Sequence, residues 1–256
     1  MPDDPDLVPD DLAERIDAAH LAGALLDCGD APTLDLAGAY RTQSALTDRR
    51  LSRGARRIGW KLGYTSDAMR AQMGVDQPNL GPLLDTMLVG GGPGFERAAF
   101  ERPLVQPKVE PEVALVVGAD GRAAEVRAAL EIVDSVWRDY RFTLELNTAD
   151  GSSAAGVVLG PVLSTEGLAD LPVRLLHNGR VMAEATAAAA MGDPFRALDW
   201  LVGQLSARGE RLHPGDVVLT GGLTRAVPLG LDDTVVAVFG TGAEVTVSGR
   251  VVGPGP

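Results

Sequence analysis

The stretch Lys108-Val109-Glu110-Pro111-Glu112-Val113-Ala114-Leu115 decides how the chain is read. It sits in an apolar run without helical spacing, Pro103 to Val117, which predicts a long extended segment. Strand side chains alternate, so Glu110 and Glu112 point to one side, about 7 Å apart along the chain, where both carboxylates can reach one cation. Two such groups on a half-buried strand repel each other and raise each other's pKa unless a positive charge lies between them. A hard, oxygen-seeking metal such as Mg2+ or Mn2+ supplies it. A solvent-facing strand with two ordinary glutamates accounts for the same letters, and the pair alone leaves both readings open.

Working outward, the Asp120-Gly121 turn ends the run, a short Ala-rich helix is expected near Ala123 to Ala129, and strand-like stretches follow from Ile132 to Leu146. Glu131, at the head of Glu131-Ile132-Val133-Asp134-Ser135, offers a third carboxylate, although a surface helix end explains it equally well. Upstream, Ile58, Trp60 and Leu62 alternate with Gly59, Lys61 and Gly63 as in a half-buried strand, with Lys61 facing away from the apolar side. A ligand-facing ammonium between closely approachable glycines and a plain surface cation both fit Lys61. Ser66 caps a short helix, Asp67 to Met73, that stops at Gly74, and Val75 to Pro82 reads as an ordered loop. The Gly90 to Gly94 turn has no trailing Lys-Ser/Thr and is no phosphate loop.

At the N-terminus, an acidic Pro-rich arm leads to a helix from Asp10 or Asp11 to about Cys28, and a second runs from about Leu36 to Leu51. Residues 1–55 are therefore expected to form a helical appendage to a unit spanning 56–256. Further on, His177-Asn178-Gly179-Arg180 marks a tight hairpin, Asp193-Pro194 opens a helix to Leu205, and Val217 to Thr220, Val235 to Phe239 and Val245 to Val247 read as strands. The expected class is α+β: a mixed, largely antiparallel β structure with a few helices and no doubly wound sheet.

The 256 residues carry a net charge of −12, from 23 basic and 35 acidic residues, which repels a phosphate backbone and argues against nucleic acid as a partner. The single cysteine, Cys28, excludes an internal disulfide and fits a reducing cytoplasm; it reads as a packed small hydrophobe. There is no signal-peptide pattern and no run long enough for a membrane span. His20, His177 and His213 lack metal-ligand spacing and read as surface or supporting residues. Ser152 and Ser153 stand in no nucleophile-elbow context, so a serine hydrolase triad is not expected.

Taken together, five stretches resemble the 2-keto-4-pentenoate hydratase and 4-oxalocrotonate decarboxylase branch of the fumarylacetoacetate hydrolase superfamily. They are Gly59 to Ser66, Gly74 to Pro78, Pro107 to Ala114, Ala129 to Ser135 and Gly215 to Gly222, joined by the helix start Gly192-Asp193-Pro194. The resemblance implies a mixed β-roll or sandwich whose open face holds one Mg2+ or Mn2+ through Glu110, Glu112 and Glu131. It also implies Lys61 as the catalytic lysine, Asp76, Asn79, Lys108 and Ser153 as substrate-binding residues, and a homo-oligomer, with a complex with a pathway enzyme left open. Three positions depart from the pattern: Pro111 stands where Ala is usual, Asn79 where Asp is usual, and Gly151 where Asn is usual. Pro111 removes an N–H, which suits an edge or bulged position. Asn79 cannot ionise, so a proton handled there in relatives is handled differently here, or the substrate differs.

The implied activity is a metal-dependent hydratase of a 2-hydroxypenta-2,4-dienoate-type acid, with 4-oxalocrotonate decarboxylase as the alternative. Hydrolysis of a C–C bond is less favoured, because the superfamily resemblance implies a His and Glu water-activating pair near the substrate loop for that reaction, and Lys61 to Leu84 contains neither. An altered biosynthetic relative or a catalytically idle partner subunit stays open, and retention of Glu110, Glu112, Glu131 and Lys61 argues against idleness.

Overall fold

The computed structural model describes residues 7–89 and 102–249, so the Gly90 to Gly94 turn lies outside it. In chain order its strands are β1 (Arg57–Gly63), β2 (Asn79–Leu84), β3 (Lys108–Val117), β4 (Ala123–Val133), β5 (Ala154–Val162), β6 (Pro172–His177), β7 (Arg180–Thr186), β8 (Val217–Leu219), β9 (Val227–Pro228), β10 (Thr234–Phe239) and β11 (Ala243–Ser248). Its helices are α1 (Leu7–Ala22), α2 (Leu36–Ser52), α3 (Asp67–Met73), α4 (Leu144–Ala149) and α5 (Pro194–Ala207). The larger sheet runs β2-β1-β8-β3-β4-β5 with β9 also on β3, and the smaller runs β11-β10-β6-β7. Only the β1–β8 pair is parallel among the described strands. This is the mixed, largely antiparallel architecture expected.

Register assigns each face of the larger sheet a job. Gly81 pairs with Lys61, Lys61 with Leu219, and Leu219 with Ala114, while Glu110 lies opposite Glu131. Directly paired residues share a face, as do residues two apart on one strand. Lys61, Glu110, Glu112 and Glu131 therefore all project from the same face. The other face carries Trp60, Leu62, Val113, Leu115, Leu130 and Ile132 into the main core, against Val173, Leu175, Val235 and Phe239 of the smaller sheet and Leu198, Leu201 and Leu205 of α5. Each fully buried Leu there contributes about 1.5–3 kcal/mol, which holds the sheet rigid beneath the polar face.

Several elements differ from the sequence expectations. The Ala-rich run from Ala123 is no helix: it is the start of β4, paired with β3 along its length and with β5 from Arg127. Cross-strand pairing on both sides outweighs the modest helix preference of alanine. β2 occupies the second half of the expected loop, β3 begins at Lys108 rather than Pro103, and Val133 ends the extended chain before a tight turn, Arg138–Tyr140, and α4. α1 begins at Leu7 and stops at Ala22, because Gly23 turns left-handed with φ +63° and its N–H caps His20 O at 3.2 Å. Cys28 consequently falls in an exposed turn rather than a packed helix end.

Pro111 fits its strand for the anticipated reason. On the side away from β4, β3 pairs with β8 at Ala114 to Val116 and with β9 at Lys108 and Val109. Pro111 falls between these two pairings, where no ladder needs its missing N–H, and its carbonyl accepts from Leu223 N at 2.9 Å.

The helices α1 and α2 pack through Leu12, Ile16, Ala39 and Leu46 onto Val136, Trp137 and Leu146. A buried polar link reinforces this contact. Arg50 Nη2 lies 2.8 Å from His20 Nδ1, and His20 Nε2 lies 2.8 Å from Asp150 Oδ1. Arginine can only donate, so Nδ1 is the acceptor and Nε2 carries the proton toward Asp150. Burial drives the His20 pKa down to about 4, against the pull of Asp150, which keeps the ring in this neutral tautomer. His20 is thus a core residue, and Asp150 is the anchor of the loop that follows it.

Candidate active site

That loop, Gly151-Ser152-Ser153, has three successive left-handed residues with φ of 73°, 58° and 58°. Such a run costs energy for the two serines, and it is held from both sides. Asp150 Oδ2 accepts from Val136 N at 3.1 Å and Ser135 Oγ at 3.3 Å, and Ser152 N donates to Asn147 O at 2.8 Å. The result presents Ser152 O to Lys61, whose Nζ donates to it at 3.1 Å and to Ser152 Oγ at 3.3 Å. Lys61 is buried, with Nζ also 3.1 Å from Glu131 Oε2, so it is not a surface cation.

Glu110, Glu112 and Glu131 form the other half of the site. One carboxylate oxygen from each lies within 4.8 Å of the others. Glu112 and Glu131 are fully buried, and Glu112 Oε2 accepts from Gly221 N at 2.7 Å. Glu112 Oε1 and Glu131 Oε1 have no hydrogen-bond partner, an expensive condition for buried carboxylate oxygens. Gly222 is required beside them, since a Cβ there would stand 2.3 Å from Glu110 Oε2. Unpartnered oxygens aimed at one point, with oxygen as the sole donor type, fit a hard divalent cation.

The electrostatics agree. Burial, then the opposing Glu131 charge, pushes Glu110 up to about 8, and the same causes raise Glu112 well above the carboxylate range. Burial pushes the Lys61 pKa down, but Glu131, Glu110 and Glu112 together hold its ammonium above the usual lysine range. Without a cation, the folded protein holds protons on the triad that the unfolded chain releases above the ordinary carboxylate range. Its stability therefore falls as pH rises from there through about 8. Thermal melts in chelator from pH 6 to 9 are expected to show this decline, and Mg2+ is expected to remove it. A flat chelator profile would count against the triad's mutual repulsion.

The site opens into a cavity of about 380 Å³. Met69, Val133 and Phe142 make its apolar wall, and Lys108, Ser152 and Ser153 reach it. Lys108 Nζ sits 3.6 Å over the Tyr140 ring. Asn79 lies beneath the cavity: its Nδ2 donates to Asn147 Oδ1 and Thr148 Oγ1, both at 3.0 Å, and its Oδ1 accepts from Ser152 Oγ at 3.0 Å. Asn147 Oδ1 also accepts from Tyr64 OH at 3.0 Å, so an amide donor is what this network needs at position 79. Asp76 is exposed on the bend before β2 and does not line the cavity, so the structure does not bring it to the site. Tyr64, Tyr140, Asn147 and Arg225 belong to the site and were not singled out by the sequence; the Thr143 N-cap of α4 is the one local signal that points toward Asn147.

Comparisons with known proteins match this geometry. A family model for the fumarylacetoacetate (FAA) hydrolase C-terminal region matches residues 59–253. A 2-keto-4-pentenoate hydratase of Burkholderia vietnamiensis is 38% identical over 207 residues, 75% of this chain and 78% of that protein. A 4-oxalocrotonate decarboxylase of a Pseudomonas species is 34% identical over 233 residues, 85% of this chain and 89% of that protein. Among solved structures, the 4-oxalocrotonate decarboxylase of Pseudomonas putida G7, complexed with magnesium and adipate, superposes with a TM-score of 0.83 at 28% identity, covering 94% of this chain and 96% of that one. The named relatives are lyases, a hydro-lyase and carboxy-lyases.

Proposed function

Because the chain belongs to the fumarylacetoacetate hydrolase family, we propose that it is a metal-dependent hydratase. It adds water to a 2-hydroxypenta-2,4-dienoate-type acid to give a 4-hydroxy-2-oxo acid. The observation that carries this reading is the buried Glu110, Glu112 and Glu131 triad, with two unpartnered oxygens, facing a protonated Lys61 at the floor of one cavity.

Glu110, Glu112 and Glu131 would hold Mg2+ or Mn2+, which would supply Lewis acidity at this end of the cavity. Lys61, fixed by Ser152 O and Glu131, sets a positive charge beside the negative charge that develops when the dienol loses its hydroxyl proton. A proton is gained at C5, the C2 oxygen becomes a ketone, and water then adds its OH to C4 and a proton to C3. Met69, Val133 and Phe142 pack the carbon chain and exclude bulk water. Ser153 and Lys108 contact the substrate, and Asn79 holds Ser152 in place rather than touching it.

The structural match to the decarboxylase supports a second reading, loss of CO2 from 2-oxohex-3-enedioate through a related enolate. No described helix is long and apolar enough to cross a membrane, and the reading places a homo-oligomeric enzyme in the cytoplasm. The deciding assay follows ultraviolet absorbance and CO2 with 2-hydroxypenta-2,4-dienoate and with 2-oxohex-3-enedioate, each with Mg2+ and with chelator. Metal-dependent loss of dienol absorbance without CO2 is expected. CO2 release from the diacid would put the decarboxylase first, and no turnover of either would leave the lyase reading without support.

A further inference from the structure

We propose that a second cavity, on the back of β1 and β2, is a ligand site separate from the active site, and that it takes a small carboxylate with a flat apolar body. The proposal goes beyond the lyase reading and needs no part of it.

This cavity holds about 550 Å³, a size typical of small-molecule sites. One side is α2, another is the turn after α5, and Trp60 of β1 and Pro82 of β2 line it between them. Trp60 pairs with Pro82 across the two strands, so both side chains leave the sheet on one face, opposite to the face that carries Lys61. The walls are tied together by hydrogen bonds. Gln43 Nε2, on the buried side of α2, donates to Leu80 O at 2.9 Å and to Thr148 O at 2.7 Å, and Tyr40 OH accepts from Leu80 N at 3.4 Å.

The cations of this cavity are held flat against aromatic rings. The Arg208 guanidinium lies 3.4 Å over the Tyr40 ring and that of Arg57 lies 4.7 Å over the Trp60 ring. Stacking fixes the plane of a guanidinium and leaves its edge donors available. Arg57 spends its charge on Glu210, at 2.8 Å. Among the described residues, neither Arg208 nor Arg41 has an ion pair or a hydrogen bond from its guanidinium. Arg41 follows Tyr40 on α2 and Ser44 lies one turn further, so two uncommitted cations and a hydroxyl gather at one end of the cavity. Asp48, the other acid on the lining, is two turns from Arg41, about 10 Å along the helix, and does not neutralise that end. Trp60 adds a buried indole N–H that has no hydrogen-bond partner. Unspent donors beside flat apolar surface suit a planar acid, because a guanidinium fork meets both oxygens of a carboxylate through parallel hydrogen bonds.

The test is calorimetric titration of the full chain, in chelator, with benzoate, with its neutral isostere benzamide and with acetate. Benzoate is expected to bind with a Kd of about 1 mM or below. Benzamide, which lacks the charge, and acetate, which lacks the flat body, are expected to bind about tenfold more weakly or worse. Arg208→Ala and Arg41→Ala are each expected to weaken benzoate by about tenfold, whereas Glu112→Gln, in the active site, is expected to leave it unchanged. Arg41 is exposed and Arg208 half-buried at the end of α5, so these variants should fold. Absence of saturable benzoate binding, equal affinity for benzamide, or binding that survives both arginine substitutions would overturn the site. A lower sedimentation coefficient for Arg208→Ala would show that a second copy of the chain fills the cavity, and would overturn it as well. No turnover enters these measurements, so failure of the ultraviolet and CO2 assay leaves the site standing, and loss of the site leaves the lyase reading untouched.

Discussion

Glu112→Gln is expected to reduce Mg2+-dependent turnover by on the order of 10³-fold or more, and to make the chelator-treated protein more stable than wild type. The two effects have one cause. Glu112 is fully buried beside two other carboxylates; one of its oxygens is bonded to Gly221 N and the other has no hydrogen-bond partner. Burial and the neighbouring charges of Glu131 and Glu110 make its ionised form costly when no cation is bound. Glutamine keeps the shape and the acceptor for Gly221, and it offers N–H donors to the remaining carboxylates. A gain of about 1–3 kcal/mol in chelator is a reasonable scale for that exchange. The cation, however, loses an anionic ligand. Melting curves with chelator and with Mg2+, alongside turnover, check both halves: the Mg2+ shift should shrink while the chelator baseline rises. Full activity with an undiminished Mg2+ shift would remove Glu112 from the metal site.

The same residues show why part of the site was legible and part was not. Glu110 and Glu112 could be paired from sequence because a strand's period of two is local, needing only that the segment be extended. Glu131 was offered by its segment as a third carboxylate, but spacing alone explained it equally well as a surface helix end, and only the family resemblance assigned it to the metal. Its placement depends on the register that sets it opposite Glu110, and on β4 being a strand where local composition favours helix. Lys61 was assignable to the polar side of β1, but its burial comes from the Ser152 loop and from β4, distant in sequence. Arg225 carries no local signal at all: its place at the cavity depends on the partners that Leu223 and Val227 find on β3. The fold was legible further than the site, because hairpin turns, caps and alternation announce themselves locally, as with Asn178-Gly179 between β6 and β7 and Asp193 at the start of α5.

Lys61→Met is expected to act on stability in the opposite direction to Glu112→Gln while removing activity as well. Methionine retains a long unbranched stem but no charge, so the triad loses the ammonium 3.1 Å from Glu131, and Ser152 O loses a donor. Breaking a buried pair by removing one partner costs about 3–5 kcal/mol, and the chelator-treated variant should melt well below wild type. Mg2+ should then restore more stability than it does in wild type, because the ion meets a more negative site and no longer shares Glu131 with a lysine. Turnover should still fall by roughly 10²–10⁴-fold, since the restored protein lacks the positive charge beside the developing enolate. This combination separates catalysis from folding: a merely structural lysine would give back its activity when Mg2+ gives back the melting temperature. Recovery of near wild-type turnover in the Mg2+-saturated variant would therefore refute the catalytic role of Lys61 while leaving the carboxylate triad intact.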